Sequence, residues 1–281
     1  GQEDRLEQIK EEVGLTETLF SAVAGLKAQR GIFHWLRGRN DHMAFEMVSH
    51  NNLITFYVAI PKKLQHFIEQ QIHAQYPHAQ IEAMTDYNIF NEKSTIVGAY
   101  LDDKRPHIFP FKTYKNTDSD PLAALLNVLG KTHAENSSLA IQYVIRSAHR
   151  RWRRRGVRVI RDVKKGEKFE TAALRHPVTR TAGKFFAEFG KMFQKADDKQ
   201  PEETQKLSGM EEEMVKGIEE KLSKGGMNVN IRLLSASDNP DLARSNLDNL
   251  VNTFAQYNLY RYGNEFFAAV PSNQGKIISD F

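Results

Sequence analysis

Between His149 and Lys168 the chain carries Arg150, Arg151, Arg153, Arg154, Arg155, Arg158, Arg161, Lys164, Lys165 and Lys168 against only Asp162 and Glu167. An array of guanidiniums and ammoniums neutralises anions, and on a polyanion it releases the condensed counterions. Written on a helix, the segment places Trp152, Gly156, Val159, Ile160 and Val163 along one seam, so a narrow apolar stripe is flanked by basic faces. Three readings stay open: a solvated helix docked by its seam, a surface for nucleic-acid phosphates, and a surface for an anionic membrane. The candidate binding residues are Arg150, Arg151, Arg153, Arg154, Arg155, Arg158, Arg161, Lys164 and Lys165.

Other groups of chemical interest are weaker. Of the ten histidines, His66, His73 and His78 lie closest together, and His66 and His73 could share a helix face. No cysteine and no acidic residue at ligand spacing accompanies them, which makes them surface or packing residues rather than a metal site. Gly130-Lys131-Thr132 has the ending of a phosphate-binding loop, but the leading glycine position holds Leu125 and the triplet follows a helix instead of opening one. A glycine followed by a lysine is what a helix C-terminus favours. Serines and carboxylates show neither a nucleophile elbow nor a dyad. The sequence therefore points to no catalytic residue, no metal and no cofactor.

The elements that must position the basic segment begin with composition. At 281 residues, 40% hydrophobic and 26% charged, the chain can bury a real core and suits two domains or one domain with an insertion. A net charge of only +4 with a pI near 9.0 makes the distribution of charge matter more than its sum. The absence of cysteine excludes disulfides and thiolate sites and fits a reducing compartment. The acidic start at Gln2, Glu3 and Asp4 has no signal-peptide pattern. The longest uncharged apolar runs, at 52–61 and 121–130, are about half of the roughly 20 residues that span a bilayer. The expected location is cytoplasmic, with a peripheral position at the inner membrane open. A first residue other than Met and an apolar ending at Ile277, Ile278 and Phe281 suggest a fragment.

Periodicity gives an opening helix over 4–29, with Leu15, Leu19, Ala22, Val23 and Leu26 recurring and Gly31 after it. A basic connection (His34, Arg37, Arg39) leads to a hairpin, Met43 to Val48 and Leu53 to Ile60, around Ser49 to Asn52. Pro61 then opens a helix with Leu64, Phe67, Ile68, Ile72 and Tyr76 on one face, closed by Pro77. A short strand around Ile81, a strand from Thr95 to Leu101 and an extended piece through Ile108, Phe109 and Phe111 follow. Asp120 caps a helix that carries Leu122, Leu125, Leu126 and Leu129, and a strand runs from Ser138 to Ser147. From Leu53 to Ser147 this is the split βαβ, or ferredoxin-like, order.

Residues 149–226 read as helical: the basic helix, a Phe-rich helix (Phe185, Phe186, Phe189, Met192, Phe193), a polar linker over 196–205 and a third helix. That last helix has a capping-box spacing at Ser208 and Glu211, a buried face of Met210, Met214, Ile218 and Leu222, and stops at Gly225 and Gly226. A strand at 228–234, a helix capped near Asn239 with Pro240 first, and a strand at 265–270 complete a C-terminal unit. The helix face there is Ala243, Leu247, Leu250, Val251 and Phe254. The expected architecture is α+β: an N-terminal helix and connection over 1–42, a ferredoxin-like module over 43–148, a helical insertion over 149–226 and a βαβ unit over 227–281.

Several stretches carry a family likeness. They are Leu19-Phe20-Ser21-Ala22, Phe45-Glu46-Met47-Val48, Ile54 to Ile60 running into Pro61-Lys62, Ile72-His73-Ala74-Gln75-Tyr76-Pro77, Asp120-Pro121-Leu122-Ala123-Ala124, and Ile141 to Arg146 with Trp152 close behind. With Val229 to Leu234, the helix to Phe254, Asn258 and Asn264, this succession resembles the N-terminal region of TraG-like bacterial type IV secretion and conjugative DNA-transfer proteins. In such proteins a later FtsK/HerA-type motor domain hydrolyses ATP. The resemblance implies a non-catalytic docking and assembly region, and it carries over no catalytic residue. Implied partners are the secretion or conjugation motor domain and channel components, with DNA, a membrane surface and a second copy of the chain also open. The alternative is a stand-alone nucleic-acid-binding protein that uses the Arg-rich helix.

Overall fold

Apolar-rich runs in Met43–His50 and Leu53–Ala59 form strands β1 and β2, joined in a tight hairpin whose closing pair is His50↔Leu53. Asn51 has φ 50°, the left-handed region that asparagine tolerates and that such turns demand. The structure is a computed structural model that describes residues 2–26, 41–51, 53–84, 88, 91, 93–117, 119–131, 136–175, 209–260, 263–279 and 281. The expected hairpin forms. Strands β3 (Thr95–Asp103), β4 (Ser138–Ser147), β5 (Met227–Ser237) and β6 (Phe266–Ala269) complete one sheet of six, in the order β2-β1-β4-β5-β3-β6. Every neighbouring pair is antiparallel. Among the described residues eight α-helices accompany it, so the architecture is α+β.

Two capped helices cover one face. In α3 (Pro121–Gly130) the Asp120 carboxylate accepts from Leu122 N at 2.9 Å. In α7 (Pro240–Thr253) the Asn239 side chain accepts from Asp241 N and Leu242 N at 3.0 and 3.3 Å. Each has proline at its first position, where the missing N–H costs nothing. Leu125, Leu129, Leu247, Leu250 and Phe254 pack on Met47, Ala99, Leu139, Ile141 and Leu233. Gly130 and Lys131 close α3, as the sequence suggested.

On the opposite face Val48, Ala140 and Leu234 lie under Ile278 of α8 (Gln274–Ser279) and Phe281. Beside them runs a polar row across three strands. Gln142 Nε2 donates to Glu46 Oε1 at 2.9 Å, and Arg232 donates to Gln142 Oε1 at 2.7 Å. Helices α1 (Gln2–Gly25) and α2 (Gln65–Gln75) close one end of the sheet, with Val23 and Ile68 on Met43 and Ile145.

The strand expected around Ile81 is absent: residues 79–84 have no regular structure, and Ile81 and Met84 are exposed. Ala79, Ile81 and Ala83 alternate with Gln80 and Glu82, but two of the three are too small to anchor a buried face. In the piece expected to be extended, Ile108 and Phe109 lie in a turn, with Phe109 N bonding Pro106 O at 3.0 Å, and both side chains are buried in a separate cluster. The two segments expected as distinct units, 43–148 and 227–281, share the sheet, with β5 between β4 and β3. Residues 27–40, the Phe-rich segment 185–193, the linker 196–205, Ser208 and Thr132 lie outside the described residues. No helix among the described residues is long and apolar enough to cross a membrane.

Candidate polyanion interface

The basic segment folds as α4 (Arg151–Lys164), followed by α5 (Phe169–Arg175) and, after residues outside the description, α6 (Gly209–Ser223). The expected seam of α4 faces inward. Gly156, Val159, Ile160 and Val163 are buried, and Trp152 packs against the same cluster. Facing them are Met214, Ile218 and Leu222 of α6 and Phe169, Ala172 and Ala173 of α5, while Met210 is exposed. Gly156 is needed there: a Cβ would come within 2.7 Å of Leu222 Cδ2. Gly226 likewise makes room for the Trp152 indole, since a Cβ would lie 2.1 Å from its Nε1. The helix ends in a left-handed Gly166 (φ 91°), with Gly166 N bonding Val163 O and Glu167 N bonding Asp162 O, at 2.9 and 3.1 Å.

The outward arc holds the candidate residues. Arg150, Arg151, Arg154, Arg155, Arg158, Arg161, Lys164 and Lys165 are exposed, and Arg153 is half-buried. Some are engaged. Arg153 donates to the Lys224 carbonyl, Arg158 Nε donates to Arg154 O at 3.3 Å, Arg161 pairs with Asp162 at 3.1 Å and Lys164 with Glu219 at 2.5 Å. The side chains of Arg150, Arg151, Arg154 and Arg155 make no hydrogen bond or ion pair among the described residues. Positions 150, 154 and 158 stack by four-residue steps, with 151 and 155 beside them, so the structure gathers these guanidiniums on one face.

The placement runs against helix stability. The first turn of α4 contains no acidic residue and its Arg150 cap position supplies no side-chain hydrogen bond. A helix N-terminus carries partial positive charge, and cations there cost about 0.3–1 kcal/mol each. The sequence of this first turn therefore does not favour the helix it forms.

A second group of charges sits where the helical layer meets the sheet, and sequence reasoning did not find it. Asp103 ends β3, His107 follows, and Lys221 comes from α6. Lys221 Nζ donates to Phe109 O at 3.0 Å and lies 6.0 Å from the centre of the Phe111 ring. Burial pushes the Asp103 carboxyl up to about 6, against the pull of Lys221. Burial also lowers Lys221, which Asp103 partly offsets. His107 is lowered by burial, then by Lys221 and Arg155. Their sequence separation gives no spacing signal. The only cue was Asp103 closing an apolar strand.

His66, His73 and His78 are all exposed, and among the described residues no cluster of potential ligands could hold a metal ion. Neither the curated proteins nor the solved structures hold a match to the chain. A family model described as "Domain of unknown function (DUF8128)" matches residues 7–280, nearly the whole of the sheet, the helical layer and the arginine face together. The chain belongs to that family.

Proposed function

We propose that the chain is a non-catalytic docking and assembly region of a type IV secretion or conjugative DNA-transfer motor. In this reading it works in the cytoplasm at the inner membrane face, and the outer face of α4 contacts nucleic-acid phosphates. The observation that carries the contact is the set of exposed guanidiniums of Arg150, Arg151, Arg154 and Arg155, without a hydrogen-bond or ion-pair partner among the described residues, above a docked seam. An inert solvated helix gains stability from acids in its first turn, whereas this one concentrates cations there. The assignment to a motor rests on the likeness to TraG-like proteins, and the partners it names are the motor domain and channel components.

The same proposal covers the scaffold. We read β3-α3-β4 and β5-α7-β6 as a ferredoxin-like (split βαβ) core. Its support is the strand order β6-β3-β5-β4, antiparallel throughout, with both helices in one core on one face. This frame starts at β3 instead of Leu53. Residues 148–226 then fall inside its central hairpin, and β1 and β2 extend the sheet beyond β4.

The test is binding of the full chain to a fluorescent DNA duplex and to anionic vesicles, compared with a variant carrying glutamine at 150, 151, 154, 155 and 158. Affinity for duplex should fall steeply with salt, with a log–log slope of roughly −0.9 per phosphate neutralised, and the variant should lose most of that slope. Unchanged affinity of the variant for both ligands sinks the proposal. The alternative, a stand-alone nucleic-acid-binding protein, uses the same face and requires tight, strongly salt-dependent binding by this chain alone.

A further inference from the structure

The two edges of the sheet are treated differently. Edge strand β6 has four residues, is preceded by the Lys104–Glu265 ion pair at 2.8 Å and is followed by Pro271. Shortness, charge and proline are the ordinary protections of an edge. Edge strand β2 is likewise followed, two residues past its end, by Pro61 and then by Lys62 and Lys63, but it is longer and carries no charge within its span. Its seven residues, Leu53-Ile54-Thr55-Phe56-Tyr57-Val58-Ala59, include no charge, glycine or proline and pair with β1 in unbroken register. On it Leu53 is 66% exposed, Phe56 60% and Val58 38%.

The hairpin register says which backbone groups are available. Hydrogen-bonded and non-bonded pairs alternate from the closing pair His50↔Leu53. Leu53, Thr55, Tyr57 and Ala59 therefore spend their N–H and C=O groups on β1. Those of Ile54, Phe56 and Val58 point away from the sheet.

We propose that β2 pairs with β2 of a second copy of this chain, antiparallel about a two-fold axis at Phe56, joining two sheets into one. The strand is suited to itself. With Phe56 opposite Phe56, Ile54 meets Val58, Leu53 meets Ala59 and Thr55 meets Tyr57, so no like charges meet across the pair. The three outward residues of each copy then exchange up to about six hydrogen bonds. The two Phe56 rings meet on the helix-covered face, the face of their β1 partner Met47. A foreign strand of matching pattern would use the same groups, but the neutral strand asks for no charged partner. The inference is independent of the arginine face.

Sedimentation of the full chain across concentrations tests it. The pairing predicts a dimer with a Kd on the order of 1–100 μM, since strand pairing alone is a small interface. Phe56→Lys should weaken it at least about tenfold by setting two ammoniums face to face. A thermal melt matching the wild type shows that the variant is folded, as expected at an exposed position. A second readout uses the lack of cysteine in the chain. Phe56→Cys should be joined into a covalent dimer by a short bis-maleimide, while Phe267→Cys on the other edge stays monomeric. A wild type that stays monomeric at several hundred μM overturns the proposal, as does a dimer untouched by Phe56→Lys or a Phe56→Cys that links no better than the control.

Discussion

The sheet and the helical layer beside it hold together in different ways. In the sheet, β1, β4, β5 and β3 are paired on both sides, and the core between it and α3 and α7 draws on strands and helices from both halves of the chain. In the layer, among the described residues, the core of α4, α5 and α6 takes Ile108 and Phe109 from outside its own helices. Polar ties add to this, among them the Lys115–Glu220 pair at 3.5 Å. Lys221 donates to Phe109 O at 3.0 Å, and Lys224 pairs with Glu17 of α1 at 2.6 Å. Redundant pairing gives the sheet the higher local stability, whereas the layer can open against it at a lower cost. The arginine face therefore rides on the more yielding part of the molecule.

The sharpest way to break this comparison is to weaken each region in turn and follow backbone hydrogen exchange. Leu233→Ala, at a position with no exposure beneath α7, should cost about 2–5 kcal/mol and lower protection throughout. Gly156→Val, forced against Leu222, should cost about 1–3 kcal/mol and raise exchange in 151–175 and 209–223 while the strands stay protected. Equal loss in the strands would show that the two regions unfold as one.

The junction gives a pH-dependent version. Asp103 has a folded pKa of about 6, above its unfolded value of roughly 3.9, so the native state holds the proton more tightly. Its contribution is fully favourable below the unfolded value and is lost as pH rises towards 6. Asp103→Asn should thus stabilise the protein at pH 7.5 by on the order of 1–3 kcal/mol and do nothing at pH 3.5, read from paired thermal melts. The smallest effect is expected at the start of α4. Arg151→Glu should add about 0.3–1 kcal/mol of stability while lowering duplex affinity, a trade that a purely structural helix would not show.

Much of this was legible in the chain. Asp120 and Asn239 with their following prolines mark α3 and α7 because capping is local chemistry. The seam of α4 was readable because helical periodicity alone decides which residues can be buried together. What periodicity could not supply was partnership across distance. Nothing in residues 53–147 reveals that β4 pairs with β5, from beyond the helical layer, as well as with β1. The same limit hid the meeting of Asp103 with Lys221. Ile81 failed in the opposite sense, since the alternation of Ala79, Ile81 and Ala83 imitated a strand that pairs with nothing among the described residues.

Ser147 and Met227 face each other as the last register pair of β4 and β5, and Ala148 N donates to Gly226 O at 2.9 Å just beyond. The chain thus leaves the sheet and rejoins it at neighbouring positions. Such a junction works as a socket, and the strands read only that the two ends arrive side by side, not what is plugged in between. Residues 149–225 could be exchanged for a two-residue turn closing on the hydrogen-bonded Ala148–Gly226 pair, or for a longer cassette, with the strand pairing intact, because loop closure costs rise only slowly with length.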